Sequence, residues 1–316
     1  MSKILILTDG KAGHENQSKA FARALGCEFD LVEVHFKSKF HKALSYLLDR
    51  LGVTAPGLLT GLEAVDPSAD YRATVGTGSG TFFAAKTMAR RLGVRCGVVL
   101  YPRGYRLPTF DCILAPSFDR PAKAPNVVEI PVNLVASDAA FYEKGVEAFR
   151  EHYAKTAAAP LPASGEAFAV IVGGPNKCST LTPEWMKARL DEVFAEAQGR
   201  PCWVTTSRRT PPEVEAVVDT YPWAYRLLSS RDRFNPIPAF VQLAKRLYVT
   251  AESTGMLSEA CTFGTAEVRA LDNLNPGPHK FRRFVENLRA AGYVDGAEKV
   301  DLSGAFAAAR RLMDVP

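Results

Sequence analysis

Hydrophobic residues along this chain come in short β-rich runs. Each run is followed by a polar loop, and then by a stretch whose apolar positions recur every three or four residues. Lys3 to Thr8 (KILILT) opens the pattern. An unbroken apolar run of this kind predicts a strand covered on both faces of a parallel sheet. After the loop from Asp9 to Ser18, helical spacing carries Ala20, Phe21, Ala24 and Leu25. The same alternation predicts strands over Phe29–Val34, Ala73–Val75, Gly97–Tyr101, Cys112–Ala115 and Val127–Pro131, with helices over 36–51, up to Leu92 and over 138–154. Residues 155–166 (KTAAAPLPASGE) then interrupt it with Ala, Pro, Ser and Gly, the composition of a linker. Beyond them the pattern restarts. Strands are expected over Ala167–Val172, Cys202–Thr206, Tyr225–Leu228, Leu247–Thr250 and Glu267–Leu271. Helices are expected over 182–198, 211–220, 238–244, from Met256 onward, over 278–291 and over 304–313. This repetition predicts an α/β fold of two Rossmann-like domains, residues 1–156 and 164–316, facing a central cleft. In such sheets ligands bind at the carboxyl ends of the strands.

Those strand ends carry the candidate chemistry. The stretch 244–260 reads as a strand feeding a helix through Glu252, Ser253, Thr254 and Gly255. Such a turn leaves backbone N–H groups free at a helix N-terminus, where an anion can sit. Gly173-Gly174-Pro175-Asn176 follows another strand, and its glycines allow a ligand close to the backbone. Ser207-Arg208-Arg209-Thr210 precedes Pro211-Pro212, which marks a helix start, and paired arginines there suit a diphosphate. Glu252 and Glu259 are candidates for holding sugar or ribose hydroxyls. In the first half, Asp9, Lys11, His14, Glu15, Asn16 and Gln17 crowd one strand end. Asp9, His14 or Glu15 is the expected general base for a hydroxyl, and the residues alone do not rank them.

Other motifs limit the choice. The loop Gly76–Thr81 is GxGxG rather than GxGxxG, and the next strand ends without an acid to hold a ribose, which argues against a nicotinamide cofactor. It is either a cleft-lining loop or a tight strand-to-helix turn. There is no GxxxxGK[ST] and no Gly-x-Ser-x-Gly elbow. The histidines are scattered, so no metal site is expected. The helix at 36–51 carries Phe36, Phe40, Leu44, Leu47, Leu48 and Leu51 on one face, with Lys37, Lys39, Lys42 and Arg50 off it. It packs on a core, or it lies peripherally on an anionic membrane.

Composition narrows the class further. The 316 residues suffice for about two domains, at roughly 100–200 residues each. With 47% hydrophobic and 23% charged residues the profile is that of an ordinary globular chain. A net charge of +5 suits an anionic substrate or membrane surface and falls short of a nucleic-acid-binding tail. The six cysteines are widely spaced, with no CxxC pair, as expected of reduced thiols in a cytoplasmic protein. No apolar run reaches the roughly 20 residues of a membrane helix.

Four motifs in order resemble the bacterial relatives of the plant mitochondrial-fission (elongated mitochondria) family. They are Asp9-Gly10-Lys11-x-Gly13-His14-x-Asn16-Gln17, Gly173-Gly174-Pro175, Thr206-Ser207-Arg208-Arg209-Thr210-Pro211 and Thr250-Ala251-Glu252-Ser253-x-x-Met256-Leu257-Ser258-Glu259-Ala260. Glu252 stands where that family commonly has Asp. The family in turn resembles glycosyltransferases of the two-Rossmann GT-B type. The resemblance implies a metal-independent transferase whose C-terminal domain holds a nucleotide sugar as substrate, with no further cofactor. The donor site would comprise Gly173, Gly174, Asn176, Ser207, Arg208, Arg209, Ser253, Thr254 and Gly255, with Glu252 or Glu259 on donor hydroxyls. It also implies that the N-terminal domain offers the acceptor and that the last helix crosses back onto that domain. If the 36–51 helix touches membrane, the expected acceptor is a cell-envelope lipid or saccharide. A nucleotide-sugar epimerase or hydrolase of the same fold is the alternative reaction, and a non-catalytic adaptor in membrane remodelling the alternative class.

Overall fold

The computed structural model describes residues 3–315. The chain divides into two units: residues 1–136 with 301–316, and residues 137–300.

Unit 1 begins with β1 (Lys3–Thr8), α1 (Ala12–Ala24), β2 (Glu28–Glu33) and β3 (His35–Phe36). It continues with α2 (Lys39–Arg50), β4 (Leu59–Thr60), β5 (Tyr71–Thr77), α3 (Phe82–Leu92), β6 (Arg95–Val99), β7 (Cys112–Pro116) and β8 (Val127–Ile130). Six of these strands form one parallel sheet in the order β2-β1-β5-β6-β7-β8. Strands in its middle are covered on both faces, and this is why β1 and β7 read as unbroken apolar runs. β2 lies on the edge and is mostly exposed or half-buried. β3 and β4 form a small antiparallel pair that the periodicity did not reveal, each strand being only two residues long.

Unit 2 comprises α4 (Ala139–Thr156), β9 (Phe168–Val172), α5 (Pro183–Ala197), β10 (Cys202–Thr206), α6 (Pro212–Asp219) and β11 (Tyr225–Leu227). It goes on through α7 (Ile237–Leu243), β12 (Arg246–Thr250), α8 (Thr254–Thr262), β13 (Glu267–Leu271) and α9 (Lys280–Ala290). Its sheet is parallel in the order β11-β10-β9-β12-β13. The final helix, α10 (Ser303–Met313), belongs to unit 1, where it packs on β6, β7 and β8.

The units do not divide at the Ala/Pro-rich segment that was expected to separate residues 1–156 from 164–316. That segment lies inside unit 2, because α4 is part of that unit's core. Tyr142, Phe149 and Tyr153 on one face of α4 are buried. Phe149 packs on Trp203, Tyr225 and Phe240 with ring centroids 5.3, 4.9 and 5.7 Å away. A linker-like composition marked a surface loop, whereas the aromatic spacing one helix earlier marked the domain.

All six cysteines are free, four of them buried and two, Cys27 and Cys178, partly exposed. Among the described residues no helix is long and apolar enough to cross a membrane.

Candidate functional site

Each sheet has one point where the strand order reverses. Neighbouring loops diverge there and leave a crevice at the carboxyl edge. In unit 1 it lies between β1 and β5, and in unit 2 between β9 and β12. Most of the candidate residues lie on loops at or beside these two points.

At the first, β1 ends and α1 starts only at Ala12, so His14 falls in the opening turn of the helix and folds back on the strand end. Its Nδ1 lies 3.0 and 3.1 Å from the two oxygens of Asp9. Lys11 Nζ donates to Asp9 Oδ2 at 2.7 Å. Burial raises the Asp9 carboxyl, but Lys11 and His14 outweigh it and hold the group below the usual carboxylate range. With Asp9 accepting from Nδ1–H, the other imidazole nitrogen is left as an acceptor. The loop after β5 closes on this pair. Gly78 has φ +82°, and a Cβ there would come within 2.4 Å of the His14 ring. A Cβ on Gly80 would meet Asp9 Oδ2 at 2.9 Å. The GxGxG loop is therefore a tight turn packed against the dyad. Buried Ser18 and Thr77 share a hydrogen bond of 2.7 Å that ties α1 to β5. Glu15 is not part of this group; it pairs with Lys19 one helical turn on.

At the second switch point, β9 and β10 end in loops that hold each other. Thr210 Oγ1 donates to Gly173 O at 2.6 Å and accepts from Ser207 N at 2.9 Å. Arg209 N donates to Ser207 Oγ, and Arg209 Nη1 to Gly174 O at 3.3 Å. A Cβ on Gly174 would lie 2.3 Å from Arg209 O, so the second glycine is required by the neighbouring loop. Asn176 closes its own turn, its Oδ1 accepting from Cys178 N at 2.7 Å. Arg208 and Arg209 are exposed, and neither forms an ion pair among the described residues.

From β12 the chain enters α8 with Ser253 at the cap, whose side chain makes no capping hydrogen bond. Leu257 is the first helical residue whose N–H reaches the cap carbonyl. The N–H groups of Gly255 and Met256 thus stay open at the positive end of the helix dipole. Glu252 lies just before this turn and is only 3% exposed. Thr250 Oγ1 accepts from Gly173 N at 2.8 Å and donates to Glu252 Oε1 at 3.1 Å. A Cβ on Gly173 would lie 2.0 Å from that oxygen, so the first glycine makes room for the glutamate. Glu252 N donates to Asn273 Oδ1 at 3.3 Å. Glu252 Oε2 and Asn273 Nδ2 are buried without partners. Burial pushes the Glu252 carboxyl up, against the opposing pull of Asn273, its own N–H, Thr250 and Arg209.

Glu259 sits further along α8, half-buried, and accepts from Tyr142 Oη at 3.0 Å. Burial raises its carboxyl, and burial together with Glu259 raises the Tyr142 phenol. Beside Arg208 a cavity of about 470 Å³ is lined by Ser207, Thr210, Glu215, Ser229 and Arg231 among others.

Sequence reasoning quoted Thr210 and Thr250 in its motifs without making them site residues, and it passed over Asn273 and Tyr142. The first three lie within a few residues of a strand's carboxyl end, so the strand-end rule applied to every loop would have listed them. Tyr142 lies on α4, which the linker reading had assigned to the other half.

A family model described as mitochondrial fission ELM1 matches residues 12–313. None of the curated proteins compared matches the chain. Among solved structures, the UDP-GlcNAc 2-epimerase of Methanocaldococcus jannaschii is 11% identical with a TM-score of 0.57, the match covering 99% of this chain and 100% of that one. The UDP-GlcNAc 2-epimerase of Neisseria meningitidis, bound to UDP-GlcNAc, is 11% identical with a TM-score of 0.54, over 98% and 94% of the two chains. Arabidopsis thaliana UGT89C1, complexed with UDP-L-rhamnose, is 12% identical with a TM-score of 0.52, over 99% and 89%. At these identities the likeness is one of fold, the two-Rossmann GT-B type.

Proposed function

The chain belongs to the mitochondrial fission ELM1 family, and from that premise we propose that it is a metal-independent glycosyltransferase that takes a nucleotide-activated sugar as donor. The observation that supports this reading is the open N-terminus of α8 at the second switch point, an environment that suits an anion. Open N–H groups of α8 and Arg209, which donates to Gly174 O and acts on Glu252, bring positive character to one strand edge with glycine backbone beside them, and Arg208 follows on the same loop beside the cavity. This is the environment a departing diphosphate needs, and it requires no metal ion. The adjoining cavity offers space for the nucleoside. Solved proteins of the same fold carry UDP-GlcNAc or UDP-L-rhamnose, so UDP-sugars are the first donors to test.

In this reading His14 takes the proton from an acceptor hydroxyl while Asp9 fixes its tautomer and stabilises the imidazolium. The acceptor oxygen bonds to the anomeric carbon as the bond from that carbon to the phosphate oxygen breaks. A single displacement of this kind inverts the sugar carbon. The proton on His14 returns to solvent, and the nucleoside diphosphate leaves from unit 2. Glu252 and Glu259 hold donor hydroxyls, with Ser253 and Thr254 completing the turn.

A second reading, an epimerase or hydrolase acting on the same donor, draws on Glu252. A buried carboxyl with a raised affinity for protons and an unpartnered oxygen is equipped for acid–base work. Incubating the protein with a nucleotide sugar and no acceptor separates the two, because only the second reading yields an epimer or free nucleotide. For the site itself, thermal shift with a panel of nucleotide sugars is the test. At least one should raise the melting temperature, as ligand binding to the native state must, and Arg208→Ala with Arg209→Ala should abolish the shift. A panel with no shift, or a double variant that behaves as wild type, sinks the donor-site assignment.

A further inference from the structure

Six large hydrophobic side chains stand out as exposed among the described residues, and four of them belong to one segment: Phe40 (71%), Leu47 (55%), Leu51 (68%) and Val53 (45%). Phe40, Leu47 and Leu51 line one side of α2 at helical spacing, and Val53 follows the helix end. The opposite side is fixed to unit 1 through buried Ser45 and Asp49, while Leu44 and Leu48, flanking the ridge, are partly buried against the core. The exposed stripe is thus held out on a helix that cannot turn it inward. Lys37, Lys39 and Arg50 are exposed around it. Between residues 36 and 53 the one acid, Asp49, is buried against Lys86. Lys42 donates to Ser79 Oγ at 2.8 Å, in the loop that packs on His14.

We propose that this face of α2 docks on an anionic lipid bilayer. Charge and shape select that occupant. An apolar ridge with basic residues beside it and no exposed acid within residues 36–53 matches the acyl–headgroup boundary, where apolar side chains enter the film and cations meet lipid phosphates. A second copy of the chain fits poorly, because a two-fold contact through the ridge would set the basic residues Lys39 and Arg50 of one copy against those of the other. The proposal is independent of the transferase reading and needs no turnover to test.

Co-sedimentation of the full chain with vesicles tests it. The wild type should pellet with vesicles rich in phosphatidylglycerol. Binding should be weaker by at least about tenfold to pure phosphatidylcholine, or in about 0.5 M salt. Phe40→Ser with Leu47→Ser and Leu51→Ser should weaken binding by a similar factor, about tenfold or more. So should Lys37→Glu with Lys39→Glu and Arg50→Glu. Both variants should keep the wild-type melting temperature, which shows that the fold is intact. Leu31→Ser, an exposed apolar change on β2, should bind as wild type. Three results would each overturn the proposal: no partition of the wild type to anionic vesicles, equal partition of the Phe40/Leu47/Leu51 variant, or a wild-type dimer in the ultracentrifuge that this variant splits. The last would assign the ridge to a second copy.

Discussion

His14 is held from three sides: by the Asp9 carboxylate, by the first turn of α1, and by Gly78, whose missing Cβ leaves room for its ring. His14→Ala should therefore lower kcat by about 10²–10⁴, the range for loss of a general base, and Asp9→Asn should lower it through the wrong tautomer. Glu15→Ala should change kcat little, since Glu15 serves Lys19. A turnover assay with the donor found by thermal shift decides this; a Glu15→Ala enzyme as dead as His14→Ala would move the base. The sequence listed Asp9, His14 and Glu15 side by side but could not rank them, because the choice depends on where α1 begins. A start at Ala12 turns His14 to the strand end and Glu15 toward Lys19. Glu252 makes a separate prediction. Its carboxyl is raised in the folded state above the ordinary value of 4.5. The native state thus holds this proton more tightly than the unfolded chain, so Glu252 favours folding at low pH. That contribution is lost as pH rises through the folded value. Glu252→Gln should raise the melting temperature at pH 7 and give little or no gain near pH 4. Equal gains at both pH values would place the cause elsewhere than ionisation.

On a helical wheel α2 shows one apolar face, yet the structure divides that face. Leu44 and Leu48 join the core while Phe40, Leu47 and Leu51 stay outside. What turns the helix is polar. Asp49 is 2% exposed, pairs with Lys86, and accepts from Arg106 N at 2.7 Å. Lys86 lies 4.2 Å over the Phe110 ring, and burial lowers its affinity for a proton against the pull of Asp49. Ser45 shares a hydrogen bond of 2.8 Å with buried Tyr105. Hydrophobic periodicity counts such residues as solvent-facing, so a helix anchored by a buried ion pair is read with its rotation wrong. The central strands β1, β7, β9 and β10 were legible for the converse reason: they are covered on both faces by apolar neighbours, and nothing in them contradicts the pattern. Lys86→Met should leave Asp49 buried without its cation and cost about 3–5 kcal/mol in urea unfolding. Adding Asp49→Leu should recover part of that loss, since the uncompensated charge is then gone. A single variant that costs less than about 1 kcal/mol would show that the pair does not anchor α2.

The chain carries two series of β-loop-α units, and that much was plain from the sequence. Where one unit stops was not, because the boundary depends on which core each helix joins. Residues 155–166 look like a hinge only if composition is taken alone. Phe149 and Tyr153 of α4 lie against Trp203 and Tyr225 within 6.3 Å, and burying aromatic side chains of that size dominates a core. At the other end, Met313 of α10 is 1% exposed and packs so closely on β6 that a Cβ on Gly97 would meet its Cε at 3.0 Å. Two fragments separate these accounts. Residues 137–300 retain α4, the aromatic core and every donor-site candidate, and should unfold cooperatively in urea and still bind the nucleotide sugar. Residues 164–316 lack α4, and they carry α10 without the strands that cover Ala309 and Met313. That fragment should show helix by far-UV circular dichroism but bind a hydrophobic dye and melt without a cooperative step, as loosely packed states do. If it instead unfolds as sharply as 137–300, then α4 contributes little to the second core, and the division at residue 136 describes contacts without describing a folding unit.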